Sequence, residues 1–322
     1  MTKKDLRIVY LGTPDFAVEA LKRLVEEDYN VVAVVTMPDK PVGRHQNKLQ
    51  ASPVKEFAVS HGLPVLQPKS LKEPDFIEEL RSFRADLQIV VAFRMLPETV
   101  WAMPRFGTFN IHASLLPQYR GAAPINWAII NGDKESGLTT FFLKHDIDTG
   151  DIIDRVSVPI SDSCTFGQLH DTLMALSGDL ALKTVDAIIS GTVKPTPQAT
   201  LENDTPLKPA PKIFKETCHI DLTKSLDETY NFVRGLSPSP GAWATLVTGN
   251  QQIVLKIFEA TKNPTTHNHP TGKIICDGKK KLSLALKDGL LEITQLQIAG
   301  KKRMATRDFL CGFKFQGNET LI

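Results

Sequence analysis

The chain reads as an α/β protein: a doubly wound, mostly parallel sheet over residues 1–191, a linker over 192–210, and a small β-barrel over 211–322. Three observations predict this. Short continuous apolar runs alternate with helical patterns through the first half, the rhythm of a parallel sheet with crossover helices. Pro195, Pro197, Pro206, Pro209 and Pro211 then crowd a stretch without periodicity, as linkers do. Beyond them, strand-like segments recur with turn residues between them, the pattern of a small barrel.

The elements follow in order. "LRIVYL" (6–11) is a buried strand bounded by Gly12. "FAVEALKRLVEE" (16–27) places apolar residues at 17, 18, 21, 24 and 25, a helical period. "VVAVVT" (31–36) is a second strand, and residues 37–53 form a long polar loop carrying Lys40, Arg44, His45 and Lys48. "VKEFAVSHG" is a helix closed by Gly62. "LPVLQ" and "LQIVVAF" are strands around the helix "PDFIEELRSF". "GTFNIHA" is a short strand, and an apolar helix-like segment follows its turn. Residues 165–190 show a long helical pattern with Gly191 as its stop. In the last third "ETYNFVRGL" looks helical, while "WATLVT", "QQIVLKIFEA", "GKIICD", "KLSLALK" and "GLLEITQLQI" read as strands of a barrel of the oligonucleotide-binding type.

Composition narrows the function classes. With 322 residues, 42% hydrophobic and 23% charged, the chain has material for about two packed domains. No apolar run approaches the ~18 residues of a membrane span. The N-terminal Met-Thr-Lys-Lys-Asp enters a strand at once, without a signal-peptide pattern. Cys164, Cys218, Cys276 and Cys311 stand alone, which argues against a disulfide framework or a cysteine zinc site. A reducing, cytoplasmic setting is expected. The net charge is +2, but residues 211–322 carry 16 Lys+Arg against 10 Asp+Glu. A basic final third hints at a polyanionic partner, although a soluble basic domain would look the same.

Absent motifs exclude other classes. Gly12-Thr13-Pro14-Asp15-Phe16 follows the first strand, with no G-x-G-x-x-G, and no G-x-x-x-x-G-K-[ST] occurs. Open parallel sheets bind ligands at the carboxyl ends of their strands, and "FNIHA" puts Asn110 and His112 at one such end. Two residues apart on a strand, they point to one face. Each fits a purely structural role, but their position favours another. Amide and imidazole N–H groups side by side stabilise an oxyanion, one such donor being worth roughly 3–4 kcal/mol in the barrier. "KHDIDTGDII" (144–153) fails the calcium-loop pattern, with Gly150 at its fifth position. Asp148 within it is either part of a solvated acidic loop or a carboxylate partner of His112. Ser114 lacks the G-x-S-x-G elbow and reads as a turn residue. Lys279–Lys281 and Lys301–Arg303 form basic clusters on predicted turns, where an RNA backbone could be followed by phosphate contacts.

"SLLPQYRGAAPINWAI", together with Asn-x-His and Asp-Thr-Gly-Asp, resembles the signature of the 10-formyltetrahydrofolate-dependent formyltransferases. "VYLGTPDFAVEAL", "MPDKPVGR", "SPVK", "LSPSPGAWA" and "LQIAGKKRM" extend the resemblance over essentially the whole length. The basic loop and C-terminal features point to the branch that acts on methionyl initiator tRNA. The resemblance implies a Rossmann-like N-terminal domain, a linker and an oligonucleotide-binding-like barrel that binds tRNA. It implies Asn110, His112 and Asp148 as the catalytic set, and Phe93, Arg94, Met95, Leu96, Ser114, Leu115, Leu116 and Pro117 around the folate, the contacts at 93–96 being largely backbone. Lys40, Arg44 and Lys48 would hold tRNA. The implied cosubstrate is 10-formyltetrahydrofolate, without a metal, in a monomer. The chain departs from the family pattern at Ala92–Pro97, one residue shorter than A-Y-G-x-x-L-P, and at Ser239, which stands where a Trp is usual. Formylation of a small amine such as an amino sugar nucleotide, or a non-catalytic RNA-binding module on the same fold, are the alternatives.

Overall fold

A computed structural model describes residues 1–42, 48–202 and 206–322. It divides into two compact units. One comprises Met1–Gly121, Ser136–Val158 and His170–Pro209; the other comprises Ala122–Glu135, Pro159–Leu169 and Ala210–Ile322.

The first unit is built on a seven-stranded sheet. Its strands, with a separate hairpin counted in chain order, are β1 (Ile8–Gly12), β2 (Val31–Val35), β3 (Lys40–Val42), β4 (Lys48–Gln50), β5 (Val65–Leu66), β6 (Leu87–Val91), β7 (Thr108–His112), β8 (Glu135–Phe142) and β9 (Ile152–Pro159). The sheet order is β5-β2-β1-β6-β7-β8-β9. β5, β2, β1, β6 and β7 run parallel, and β8 pairs antiparallel with β7. Every residue of β1 and β6 is buried, which is why both read as apolar runs, interrupted in β6 by the buried Gln88. The chain order reverses between β1 and β6, creating the crevice where such sheets bind ligands.

Helices α1 (Val18–Glu26), α2 (Pro53–Ser60), α3 (Pro74–Ser82), α4 (Glu98–Trp101), α5 (Pro124–Ile130) and α6 (Phe166–Ser190) intervene between strands or follow them. α1 buries Ala20, Leu21 and Leu24. α2 begins where the Ser52 side chain accepts the Lys55 N–H at 3.1 Å, with Pro53 in its first turn. Val9, Leu11, Ala33, Val35, Leu80 and Val90 form one core layer.

The polar stretch 37–53 is more ordered than a loop. β3 and β4 pair antiparallel, with Lys40 opposite Gln50 and Val42 opposite Lys48. Arg44 and His45 lie outside the described residues.

The second unit contains α5, α7 (Leu226–Gly235), β10 (Ala242–Thr248), β11 (Gln251–Asn263), β12 (Ile274–Cys276), β13 (Leu282–Leu286), β14 (Gly289–Ile298), β15 (Met304–Ala305), α8 (Thr306–Gly312) and β16 (Thr320–Leu321). The antiparallel sheet runs β12-β13-β14-β11-β10-β16, with β15 on β14. It nearly closes on itself: Ile274 N–H donates to the Glu319 carbonyl at 3.1 Å, and Leu321 N–H to the Gly272 carbonyl at 2.7 Å. Closure removes an exposed edge, and Leu246, Leu255, Ile257, Leu284, Leu291 and Ile293 fill the interior.

Candidate active site

The site begins on β7. Phe109 and Ile111 turn into the core at 0% and 2% exposure, so alternation sends Asn110 and His112 to the opposite face. Asn110 lies opposite Phe141 of β8. The His112 ring meets Phe141 edge-on, with centroids 6.4 Å apart. Phe141 thus walls the face that carries both polar side chains.

His112 is oriented by the turn that follows. Its Nε2 lies 2.8 Å from the Tyr119 carbonyl oxygen. A carbonyl only accepts, so Nε2 carries the proton and donates it. The other nitrogen, Nδ1, faces Asp148 Oδ2 at 3.9 Å. That separation exceeds a hydrogen bond. The proton donor this ring can offer a substrate is therefore at Nδ1, beside the Asp148 carboxylate.

Asp148 sits in the loop between β8 and β9 with φ +55°. Its Oδ2 accepts the Gly121 N–H at 2.9 Å, and its carbonyl accepts from Gln198 Nε2 at 2.8 Å. Tyr119 and Ala92 also hold left-handed backbone, at φ +62° and +47°. Non-glycine residues in this region cost energy and collect at functional sites. Two residues on, Gly150 runs against β8. A Cβ placed there would lie 1.6 Å from the Phe142 carbonyl oxygen, so only glycine permits this close approach.

Ala92–Pro97 follows β6 at the adjacent strand end. Met95 is 72% exposed. The Arg94 guanidinium turns back, donating from Nη1 to the Lys69 carbonyl at 2.8 Å and from Nη2 to the Pro68 carbonyl at 2.5 Å. It also stacks over Phe93 at 5.6 Å, and its burial lowers its pKa. Leu96 and Leu116 are buried in the core, the latter against Phe141 and Ile152. Leu115 packs against Gly137. Ser114 donates its hydroxyl to the Gln118 carbonyl at 2.7 Å, and the Leu116–Pro117 bond is cis. The side chains of Leu96, Ser114 and Leu116 thus serve packing and the turn. At the end of β1, the buried Thr13 hydroxyl has no hydrogen-bond partner among the described residues, the kind of group a polar ligand satisfies.

Sequence reasoning missed the roles of Tyr119, Arg120 and Gly121, and missed Gln198 altogether. The tripeptide lies in a turn whose residue types signal only a turn. Gln198 lies in the proline-rich segment read as a linker, and no local pattern marks it.

The basic residues fall on separate elements. Lys40 is exposed on β3, and Lys48 begins β4. In the second unit, exposed Lys279, Lys280 and Lys281 occupy the turn between β12 and β13. The Asp277 carboxylate accepts all three of their backbone N–H groups at 2.8–2.9 Å. These bonds lower its pKa to about 2, the Lys281 N–H bond contributing most. Lys301 and Lys302 are exposed after β14. Arg303 is engaged by Gln295 and Glu259 at 2.5 and 3.1 Å. Among the described residues, no group of three or more His, Cys, Asp or Glu could hold a metal ion. No helix among them is long and apolar enough to cross a membrane.

Residues 6–185 match the formyl transferase family model, and residues 212–314 match that of the formyl transferase C-terminal domain. A methionyl-tRNA formyltransferase of Phocaeicola vulgatus is 63% identical over 320 residues, 99% of each chain. One of Parabacteroides distasonis is 60% identical over 316 residues, 98% of each. Among solved structures, an N-formyltransferase from Helicobacter canadensis, in complex with folinic acid and dTDP-3-aminofucose, shares the fold. Its TM-score is 0.62 at 19% identity, covering 89% of this chain and 98% of that one. HypX from Aquifex aeolicus, in complex with tetrahydrofolic acid, shares it at TM-score 0.62 and 20% identity, covering 95% of this chain and 47% of that one. From a parallel sheet with this strand-end site, a nearly closed C-terminal barrel, and two family models spanning both, the conclusion is that the chain belongs to the formyl transferase family.

Proposed function

We propose that this protein transfers the formyl group of 10-formyltetrahydrofolate to the α-amino group of methionyl initiator tRNA. The cosubstrate supplies a formyl carbon. As the amine attacks it, negative charge grows on the formyl oxygen. Asn110 and the Nδ1–H of a protonated His112 supply donors to that oxygen, while the Nε2 proton stays on the Tyr119 carbonyl. Asp148, on the Nδ1 side of the ring, receives the amine proton. The carbon–nitrogen bond to the amine forms and the bond to the folate nitrogen breaks; that nitrogen keeps the electron pair and takes the proton held by Asp148 as tetrahydrofolate leaves.

The observation that carries this reading is the His112 ring, pinned by one nitrogen and facing a carboxylate with the other at a strand end. Full-length similarity to proteins named for methionyl-tRNA supports tRNA as acceptor. So do the lysines of the C-terminal turns and the basic residues Lys40, Arg44 and Lys48 of the sequence between β2 and α2. On this reading residues 1–191 carry the chemistry, residues 211–322 contact tRNA, and the setting is the cytoplasm.

The test is single-turnover transfer from 10-formyltetrahydrofolate to methionyl-tRNA or to an amino sugar nucleotide. Formylation of methionyl-tRNA is expected. Formylation of the sugar nucleotide alone, or tRNA binding with no transfer, overturns the reading.

A further inference from the structure

We propose that Gln198 is a positioning residue that sets the place of Asp148; the proposal rests on the role given to Asp148 above. Gln198 opens a 3₁₀ turn, Gln198–Leu201, and is 3% exposed. Its carboxamide uses its full hydrogen-bonding capacity. Oε1 accepts from Arg120 Nε at 3.0 Å and Nη2 at 2.8 Å. Nε2 donates to the Asp148 carbonyl and the Gly150 carbonyl, both at 2.8 Å. Arginine only donates and the two carbonyls only accept, so the amide has one workable orientation.

The surroundings make this a clamp rather than an isolated contact. Thr196 and Ile152 exchange both backbone hydrogen bonds at 2.8 Å, fastening the strap beside the loop. Arg120 Nη2 also reaches Glu202 at 3.0 Å. Tyr119, Arg120 and Gly121 then divide the work. The first accepts from His112, the second holds Gln198, and the third donates to the Asp148 carboxylate. A closed ring results, running His112–Tyr119–Arg120–Gln198–Asp148 and back to His112 across the 3.9 Å gap. Asp148 holds a left-handed backbone, a conformation that persists only where neighbours over-determine it. Gln198 grips the carbonyls of the residues on either side of Thr149, Asp148 and Gly150. Displacing a reacting group by about 1 Å can cost ~10²-fold in rate, so slackening this grip should be felt in turnover.

The experiment compares Gln198→Glu and Gln198→Leu, alone and combined with Asp148→Asn, in single-turnover formyl transfer. Gln198→Glu keeps a partner for Arg120 but sets oxygen against two carbonyls. It guards against a fold lost through an unpaired Arg120. The expected result is a kcat lowered ~10-fold or more by either variant, with KM for both substrates within about twofold. That loss should largely vanish in the Asp148→Asn background. Wild-type kcat in both variants, or losses that multiply with that of Asp148→Asn, overturn the role of Gln198 alone. Wild-type turnover in Asp148→Asn overturns the Asp148 assignment itself, and the coupling with it.

Discussion

Gly150→Ala should cripple transfer while leaving a folded protein. The glycine packs against the β8 backbone, and an added Cβ would lie 1.6 Å from the Phe142 carbonyl oxygen. Real Cβ contacts essentially never fall below 3.0 Å, so the loop must retreat by about 1.4 Å. Phe142 is held on its far side by β7, so the flexible partner is the loop. Its movement pulls Asp148, two residues away, from the Gly121 N–H and from His112. Overpacking of this kind costs about 1–3 kcal/mol of stability. A shift near 1 Å at a reacting group costs ~10²-fold in rate. The assay is single-turnover formyl transfer, beside circular dichroism and thermal unfolding. Gly312→Ala is the control, since nothing lies within 4 Å of its added Cβ. A Gly150→Ala enzyme with wild-type turnover would refute the claim that the close approach at Gly150 sets the position of Asp148.

Other outcomes follow from the same geometry. Asn110→Ala and His112→Ala should each lower kcat by ~10² or more with the fold intact, and undiminished turnover in both would end the oxyanion assignment. Lys279, Lys280 and Lys281 all changed to Ala should weaken tRNA binding and flatten its salt dependence by about one unit of slope per lost phosphate contact; an unchanged slope removes this turn from the interface. Acid stability should depend on the capping box of α7. There the Ser225 backbone N–H bond lowers the Glu228 pKa from its ordinary 4.5 to about 2. Because the folded value is depressed, the stabilisation is complete above about pH 4.5 and disappears as pH falls toward about 2. Glu228→Gln should therefore flatten that acid limb while hardly changing its shape at neutral pH, and identical acid unfolding curves would contradict this.

Much of the architecture was legible because local rules dictate it. β1, β2 and β6 are almost wholly buried, so they read as apolar runs in which only Gln88 of β6 is polar. α6 was expected over 165–190 and spans Phe166–Ser190, its end marked by a glycine with φ +68°. Asn110 and His112 share a face because strand alternation has a period of two. β8 escaped notice because its buried Ser136, Thr139 and Thr140 look polar. Thr139 and Thr140 are satisfied by distant partners, Thr139 donating to the Ser114 carbonyl and Thr140 accepting from Thr184. The hairpin of β3 and β4 hid in a polar stretch for a similar reason, its pairing being the information and its composition not.

The amino-acid order by itself determined the two-part α/β and barrel plan, the strand end that carries an amide and an imidazole, and the family to which the chain belongs. Periodicity, glycine punctuation and residue type are properties of neighbours along the chain. Tertiary structure alone decided which imidazole nitrogen faces Asp148, why residue 150 must be glycine, and why a glutamine in a proline-rich strap grips the loop from 78 residues beyond Arg120. Those facts are hydrogen bonds and close approaches between remote segments, and they exist only after the sheet has brought the segments together.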